Sequence, residues 1–140
     1  MDRTFKASRP ELADARRQGY HHIGDASKLT GVSAKMIRHY EEIGLVPAAS
    51  RTFAGYRLYG EPDLNRLRFI KRARSLGFSI RDIAALLDLW ANPRRASRDV
   101  KRLAQAHIDE LECRIESMQS MQRCHGDARP DCPVLDDLAG

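Results

Sequence analysis

The sequence predicts an all-α chain with a small β wing: a winged helix-turn-helix followed by a long helix that pairs as an antiparallel coiled coil. Three observations predict it. Residues 23–59 hold two short helical patterns joined by Thr30-Gly31-Val32, then a turn rich in Pro, Ala and Ser, then a short segment rich in Arg and Tyr. Residues 62–90 continue with two helical periodicities separated by Leu76-Gly77-Phe78. Residues 98–123 carry one amphipathic stripe, Ala104, Ile108, Leu111, Ile115 and Met118, spaced alternately by four and three.

Taken in order, residues 1–20 are charged and poor in large apolar side chains, so they are expected to form a disordered extension, with one helical turn near residues 11–17. Ile23, Ala26 and Leu29 then recur on one face of a first helix. Gly31 stands where a tight turn needs a residue without a Cβ. Ser33 is placed to cap a second helix whose apolar side is Met36, Ile37 and Tyr40, with Lys35, Arg38 and His39 on its other faces. Two short helices crossing at such a turn form a helix-turn-helix. Its second helix can enter a DNA major groove and bring basic side chains to phosphates and base edges. An ordinary helical hairpin with a solvated basic face accounts for these residues equally well. The next segment tips the balance: Arg51, Tyr56, Arg57 and Tyr59 flank Phe53-Ala54-Gly55, a hairpin or wing suited to phosphate contact.

After the wing, Pro62 sits near the first turn of a third helix. Its Leu64, Leu67, Ile70 and Ala73 should pack on the first two helices, with Arg66, Arg68, Lys71, Arg72 and Arg74 on the remaining faces. Ser79 with Asp82 three residues on is a capping-box pattern, opening a helix whose apolar side is Ile83, Leu86, Leu87 and Trp90. Asn92-Pro93 breaks the pattern. Ser97 is placed to cap the longest helix, over residues 98–123. Little chain remains to bury the apolar stripe of that helix, so the economical partner is a second copy, in a homodimer. Cys113 lies beside the stripe and reads as a bystander thiol.

Composition narrows the function classes. A chain of 140 residues is one compact domain, or a small domain with an appendage. The net charge of +5 is unevenly spread: residues 1–80 carry 15 Lys/Arg against 8 Asp/Glu, and residues 81–140 carry 9 against 11. The positive charge thus sits with the helix-turn-helix, where a polyanion-binding face needs it. No apolar run is long enough to span a membrane, and the N-terminus has no signal-peptide core. Three cysteines, an odd number, argue against a secreted disulfide framework, and a reducing cytoplasm is the natural reading. A thiol redox enzyme using Cys124 and Cys132 is a distant alternative, because such enzymes pair closer cysteines with a helix N-terminus. No Ser/His/Asp grouping and no phosphate-binding Gly loop is evident, so the chain reads as a non-enzyme.

The stretches IRHYEEIGLV (37–46), GYRLY (55–59) and LNRLRFIKRARSLGFSI (64–80) resemble, in order and spacing, the MerR family of transcriptional regulators. The match covers nearly everything after residue 20. The resemblance implies a winged helix-turn-helix over residues 21–90, a dimerisation helix over 97–123, and an effector loop and tail over 124–140. It implies that Lys35, Arg38 and Tyr40 act from the recognition helix, that Arg51, Tyr56, Arg57 and Tyr59 hold flanking phosphates, and that Arg74 contacts the DNA backbone. The implied partners are double-stranded promoter DNA, a second copy of the chain, and RNA polymerase at the promoter, with no membrane. The implied mechanism is a dimer seated between two promoter elements that are too far apart, which bends and untwists that DNA when its effector binds.

The last informative stretch is CHGDARPDCP, residues 124–133. Its spacing is not that of a zinc finger, and no second Cys pair completes a four-ligand site. Two thiolates suit a soft monovalent ion in linear coordination: Cu(I), or the similar Ag(I) and Au(I). From spacing alone, two unrelated tail thiols or an adventitious disulfide are the plainer account. The loop, however, resembles the metal loop of the copper-responsive, CueR/HmrR-like branch of the family. That branch has a serine where the zinc-, mercury- and lead-responsive branches have a cysteine, a position that falls here on Ser97. The resemblance implies Cu(I) held by Cys124 and Cys132, Ser97 as the selectivity position, and no ligand role for His125. It departs in one place: Ser120-Met121-Gln122-Arg123 runs straight into Cys124, where the branch has about two further helical turns, roughly 10 Å. The expected function is a copper(I)-responsive activator of metal export and detoxification genes. The alternative is a regulator of the same type with another effector or impaired metal sensing.

Overall fold

A helix precedes the expected motif. In the computed structural model, which describes residues 11–52, 54–94, 97–123, 135 and 138–140, α1 spans Leu12–Arg17. Its Ala15 is fully buried, and Arg16 pairs with Asp25 at 3.3 Å. The helical turn expected near residues 11–17 is present, and residues 11–20 as a whole are not the disordered extension expected of them. One small apolar side chain and one ion pair anchor them, a signal too weak to register in composition. The chain divides into two compact units, Met1–Asn92 and Pro93–Gly140.

The first unit is built on a short antiparallel sheet with order β1-β3-β2, where β1 is His21–His22, β2 is Ser50–Arg51 and β3 is Arg57–Tyr59. His21 faces Tyr59 and His22 faces Leu58; on the other side of β3, Ser50 faces Leu58 and Arg51 faces Arg57. The wing is thus a three-stranded ribbon, because the segment before the first motif helix joins it. Thr52 closes its turn: the buried hydroxyl accepts from the Tyr56 N–H at 3.0 Å, and the Thr52 N–H donates to the Tyr56 carbonyl at 2.8 Å.

The two helices of the motif are α2 (Ile23–Thr30) and α3 (Ala34–Glu42). Ile23 and Ala26 face inward as expected, but Leu29 is 50 % exposed and Thr30 takes the inner position. Steps of three fall short of a full turn, so the face drifts across Leu29, while the step of four from Ala26 returns to Thr30. The buried Thr30 hydroxyl is satisfied, donating to the Ala26 carbonyl at 2.7 Å and accepting from the Val32 N–H at 3.2 Å. Met36 is likewise displaced outward at 37 % exposure, leaving Ile37 and Tyr40 as the buried side of α3. Ser33 caps α3 by accepting from the Met36 N–H at 3.2 Å. At the other end Gly44, with φ of 80°, forms a Schellman cap: Leu45 N–H donates to the Tyr40 carbonyl and Gly44 N–H to the Glu41 carbonyl.

Helix α4 (Glu61–Ser75) is the spine of the core. Asp63 accepts from the Gly60 N–H at 3.0 Å and fixes its start. Leu64, Leu67, Ile70 and Ala73 are buried against Ala26, Ile37, Tyr40, Val46 and Tyr59. Helix α5 (Ile80–Ala91), capped by Ser79 through the Asp82 N–H, adds Ile83 and Leu87 to the same core. Trp90 is half exposed and stacks on Phe69, with ring centroids 5.0 Å apart.

The second unit is dominated by α6 (Ser97–Gln122). Ser97 is the first residue of this helix rather than the residue capping it. Ile108, Ile115 and Met118 are 45 %, 51 % and 61 % exposed, so in a single chain the stripe lies open. Among the described residues no helix is long and apolar enough to cross a membrane.

The turn between α2 and α3 rests on one residue. Gly31 has φ of 73°, and a Cβ there would run into the Lys71 ammonium. The left-handed backbone costs any other L-residue roughly 1–2 kcal/mol, whereas the lysine tip can swing aside. Gly31→Ala should therefore lower unfolding stability by about 1 kcal/mol, read as a lower urea midpoint at unchanged slope. An unchanged midpoint would show that the turn does not depend on that conformation.

Candidate nucleic-acid interface

Helix α3 presents Lys35, Arg38 and His39 on its exposed side, joined there by Glu42. Beside it, Arg38 meets the wing: Ile23, Arg38, Arg51, Gly55, Tyr56 and Arg57 line a single cleft. Four of the eight residues expected to contact DNA, namely Arg38, Arg51, Tyr56 and Arg57, are thus brought together, and Lys35 stands on the same helix as Arg38. Arg51 donates from Nη1 to the Gly55 carbonyl at 3.3 Å, which braces the wing turn, and Tyr56 is 56 % exposed. Arg74 lines no part of this cleft; it is exposed at the end of α4 and donates to the Phe78 carbonyl at 3.3 Å.

Two expected contact residues belong elsewhere. Tyr40 is 5 % exposed and Tyr59 fully buried, both inside the core cluster with Leu64 and Leu67. Their rings fill the joint between α3, the wing and α4, so they support the interface from behind rather than reach toward a ligand. The aromatic type was right for a wing, but at these positions the buried surface claims it.

The residue that sequence reasoning missed is Glu41, on the last turn of α3. Its side chain is only 13 % exposed. One carboxylate oxygen accepts from the Ala49 N–H at 3.1 Å, and the other accepts from the Tyr59 hydroxyl at 3.0 Å. The second oxygen also lies 3.8 Å from Arg57 Nη1. One buried acid therefore ties the recognition helix to the preceding loop and to the central strand of the wing. An acidic residue within a basic motif reads as surface decoration, and its partners lie too far along the chain for periodicity to find. Arg57 is held without being used up. Its Nη1 is shielded from solvent, yet it makes no hydrogen bond among the described residues. Arg57 thus stands at the wall of a cleft shared with Arg38 and Arg51.

The expected metal ligands Cys124 and Cys132 lie outside the described residues, as does His125. Among the described residues no three His, Cys, Asp or Glu side chains gather as a metal site. Cys113 is exposed on α6.

Comparison with known proteins agrees with this geometry. A family model described as "MerR HTH family regulatory protein" matches residues 22–90, and one described as "MerR, DNA binding" matches residues 64–123. The HTH-type transcriptional regulator HmrR of Sinorhizobium medicae (strain WSM419) is 54 % identical over 125 residues, covering 84 % of this chain and 85 % of that protein. Heavy metal-dependent transcription regulator 2 of Rhizobium meliloti (strain 1021) is 53 % identical over 125 residues, with the same coverage. Among solved structures, the transcription regulator PbrR691 of Ralstonia metallidurans CH34, in complex with lead(II), superposes with a TM-score of 0.67 at 28 % identity, over 84 % of this chain and 98 % of that one.

The Glu41 tie can be read through Tyr59. Burial first, then the hydrogen bond and negative charge of Glu41, push the phenol up from 10.0 to about 12. A folded-state value above the unfolded one means that the folded form holds the proton more tightly. The contribution is complete below pH 10 and is lost as pH rises from 10 toward about 12. Glu41→Gln should move Tyr59 part of the way back in a tyrosinate absorbance titration, the share due to burial remaining. An unshifted titration would mean that the carboxylate does not govern this phenol.

Proposed function

Because the chain belongs to the MerR family of DNA-binding transcription regulators, we propose that it is a copper(I)-responsive activator that works by distorting promoter DNA. The observation that carries the DNA-binding side is the cleft where the recognition helix meets the wing. Arg38, Arg51, Tyr56 and Arg57 converge there. In this reading the three arginines and Tyr56 grip backbone phosphates, and Lys35 and Arg38 reach into the groove. Arg74 makes an outlying backbone contact. Tyr40 and Tyr59 are left as supports. The family relationship and the regulator relatives place the chain among transcription regulators, not enzymes.

Dimerisation belongs to the same reading. The exposed stripe of Ile108, Ile115 and Met118, with Ala104 and Leu111, is an unburied apolar seam that a second copy would cover. In the cytoplasm the dimer would sit on promoter DNA, and RNA polymerase would engage the distorted promoter.

Metal response is supported by a relative whose name marks it as heavy metal-dependent and by the lead(II) complex of a structural neighbour. The choice of copper rests on the resemblance of the cysteine loop to that of the copper-responsive branch, together with this chain's own donor set. Cys124 and Cys132 supply two thiolates, and a monovalent soft ion needs no more; with Cu(I) they leave a net charge of −1. Silver(I) and gold(I) fit the same pair. Ser97 adds no anionic donor at neutral pH, because its hydroxyl stays protonated, and this disfavours ions that call for a third thiolate. The alternative within the family, another effector or impaired sensing, draws on the direct run of residues 120–123 into Cys124.

Two measurements test the reading. Arg57→Ala should weaken binding on every operator without altering sequence preference, and should reduce the slope of log affinity against log salt by about 1. An unchanged slope would remove Arg57 from the phosphate contacts. Anaerobic titration with Cu(I) and Zn(II), reading stoichiometry and promoter output together, should give Cu(I) binding and induction. Cys124→Ser and Cys132→Ser should each abolish induction and leave operator affinity nearly intact. Copper induction that survives both substitutions would overturn the metal assignment, while the DNA-binding reading would stand.

A further inference from the structure

Met36 is an apolar side chain among polar ones. It stands on the first turn of α3, where Ser33 fixes the backbone by accepting from the Met36 N–H. Ile37 and Tyr40 of the same helix turn into the core, whereas Met36 stays open to solvent. One residue along an α-helix is a turn of about 100°, which carries Met36 clear of the side that Ile37 buries. There it lines a hollow on the outer side of α3, together with Lys35, Arg38, His39 and Glu42.

The surroundings of Met36 narrow what can cover it. Lys35 and Arg38 are cations, His39 is a hydrogen-bonding ring, and Glu42 is the one acid of the group. An apolar protein surface laid over Met36 would take those charges out of water without partners, which is costly. A DNA major groove meets both needs. Its edges are phosphates, which pair with cations, and its floor carries one apolar group, the C5-methyl of thymine. A recognition helix turns its N-terminal residues toward the base edges, and Met36 is the third residue of α3. Arg38 also lines the cleft with the wing, but Met36 does not, so the two address different parts of a groove. An unbranched thioether with three rotatable bonds can follow a methyl group whose position shifts as the DNA bends.

We propose that Met36 is a specificity residue: its side chain packs on the C5-methyl of a thymine in the groove that α3 enters. The proposal rests on the reading of α3 as the recognition helix and names a base that this helix selects. No hydrogen bond is involved, so discrimination comes from one methyl group, a factor of about four in affinity.

Full-length protein tests this on DNA that it selects itself. A random-sequence duplex library is enriched on the wild type, and each thymine of the enriched operator is then replaced in turn by deoxyuridine. That change removes the C5-methyl and leaves the base pairing as it was. At one thymine for each bound α3, wild-type affinity by fluorescence anisotropy should fall about fourfold. Met36→Ala should bind the thymine and the deoxyuridine operators alike. Met36→Leu, apolar and of similar volume, should keep the difference. Alanine favours a helix and the site is exposed, so Met36→Ala should keep its helical content by circular dichroism, and lost discrimination would not reflect a lost helix. A wild type indifferent to every deoxyuridine, or a Met36→Ala protein that still loses about fourfold at the same thymine, would overturn the proposal and leave the DNA-binding reading intact. A library that yields no preferred sequence, with binding that does not respond to salt, would overturn both.

Discussion

One carboxylate holds the interface in shape. Glu41 leaves the last turn of α3 and accepts from the Ala49 N–H and the Tyr59 hydroxyl, with Arg57 beside it. Beside it, α3 and the wing are joined by the chain of residues 43–49 and by packing against α2 and α4, none of which is a polar tie directly from helix to strand. A partly buried acid is costly to desolvate, and three donors offset that cost only while helix, loop and strand keep one relative position. The same geometry leaves Arg57 half engaged. Its charge is partly compensated by Glu41 while its side chain lines the cleft.

The apolar core does the complementary task of fixing where that joint sits. Leu64, Leu67 and Ile70 of α4 are fully buried, and the side chains they meet come from both motif helices and from β3. Tyr40 and Tyr59 belong to this layer, which is why their rings face inward although the flanking residues of α3 and the wing face out. Arg66 adds a polar stitch by donating to the carbonyl of Leu45 just after α3. Each end of α3 is therefore pinned, by Ser33 at the start and by the Gly44 cap and Arg66 at the finish.

Much of this was legible in the chain, and the misses share a cause. Helix caps at Ser33 and Ser79 and the apolar rows of α4 and α5 are local signals with fixed spacing, and the structure has them where the residues point. Leu29 was placed inward because a short apolar row at steps of three looks like a face, yet over two turns it drifts off it; Met36 was placed inward beside Ile37, but a step of one is a turn of about 100° and leaves only Ile37 and Tyr40 enclosed. Tyr59 was given an outward role as a wing tyrosine, and Tyr40 one implied by the resemblance although its own row with Ile37 already faced inward; the packing encloses both. Glu41 could not be found because its partners Tyr59 and Arg57 come from a strand whose register is set by the fold. The cysteine loop was legible only as chemistry, two soft donors, and it lies outside the described residues.

The makeup of the proposed interface bears on how a regulator of this kind can read and bend DNA. The exposed side of α3 offers Lys35, Arg38, His39 and Glu42. Of these, only Arg38 has the rigid fork that pairs bidentately with guanine, and it also lines the cleft with the wing arginines. Direct base readout is therefore short, while the contacts from the wing carry no sequence information by themselves. What remains for discrimination is the cost of deforming the site. Smoothly bending 20–30 base pairs by 40–90° takes of the order of 1–6 kcal/mol, comparable with a few charge-assisted phosphate contacts. In the proposed function, a dimer with two such grips, each stiffened by its own Glu41 tie, would turn a change in their separation into strain on the DNA instead of slack in the protein. An effector would then need to alter only the placement of the grips. On this proposal the list of contacts would stay the same in the silent and the active complex, with the free energy that separates them stored in the DNA.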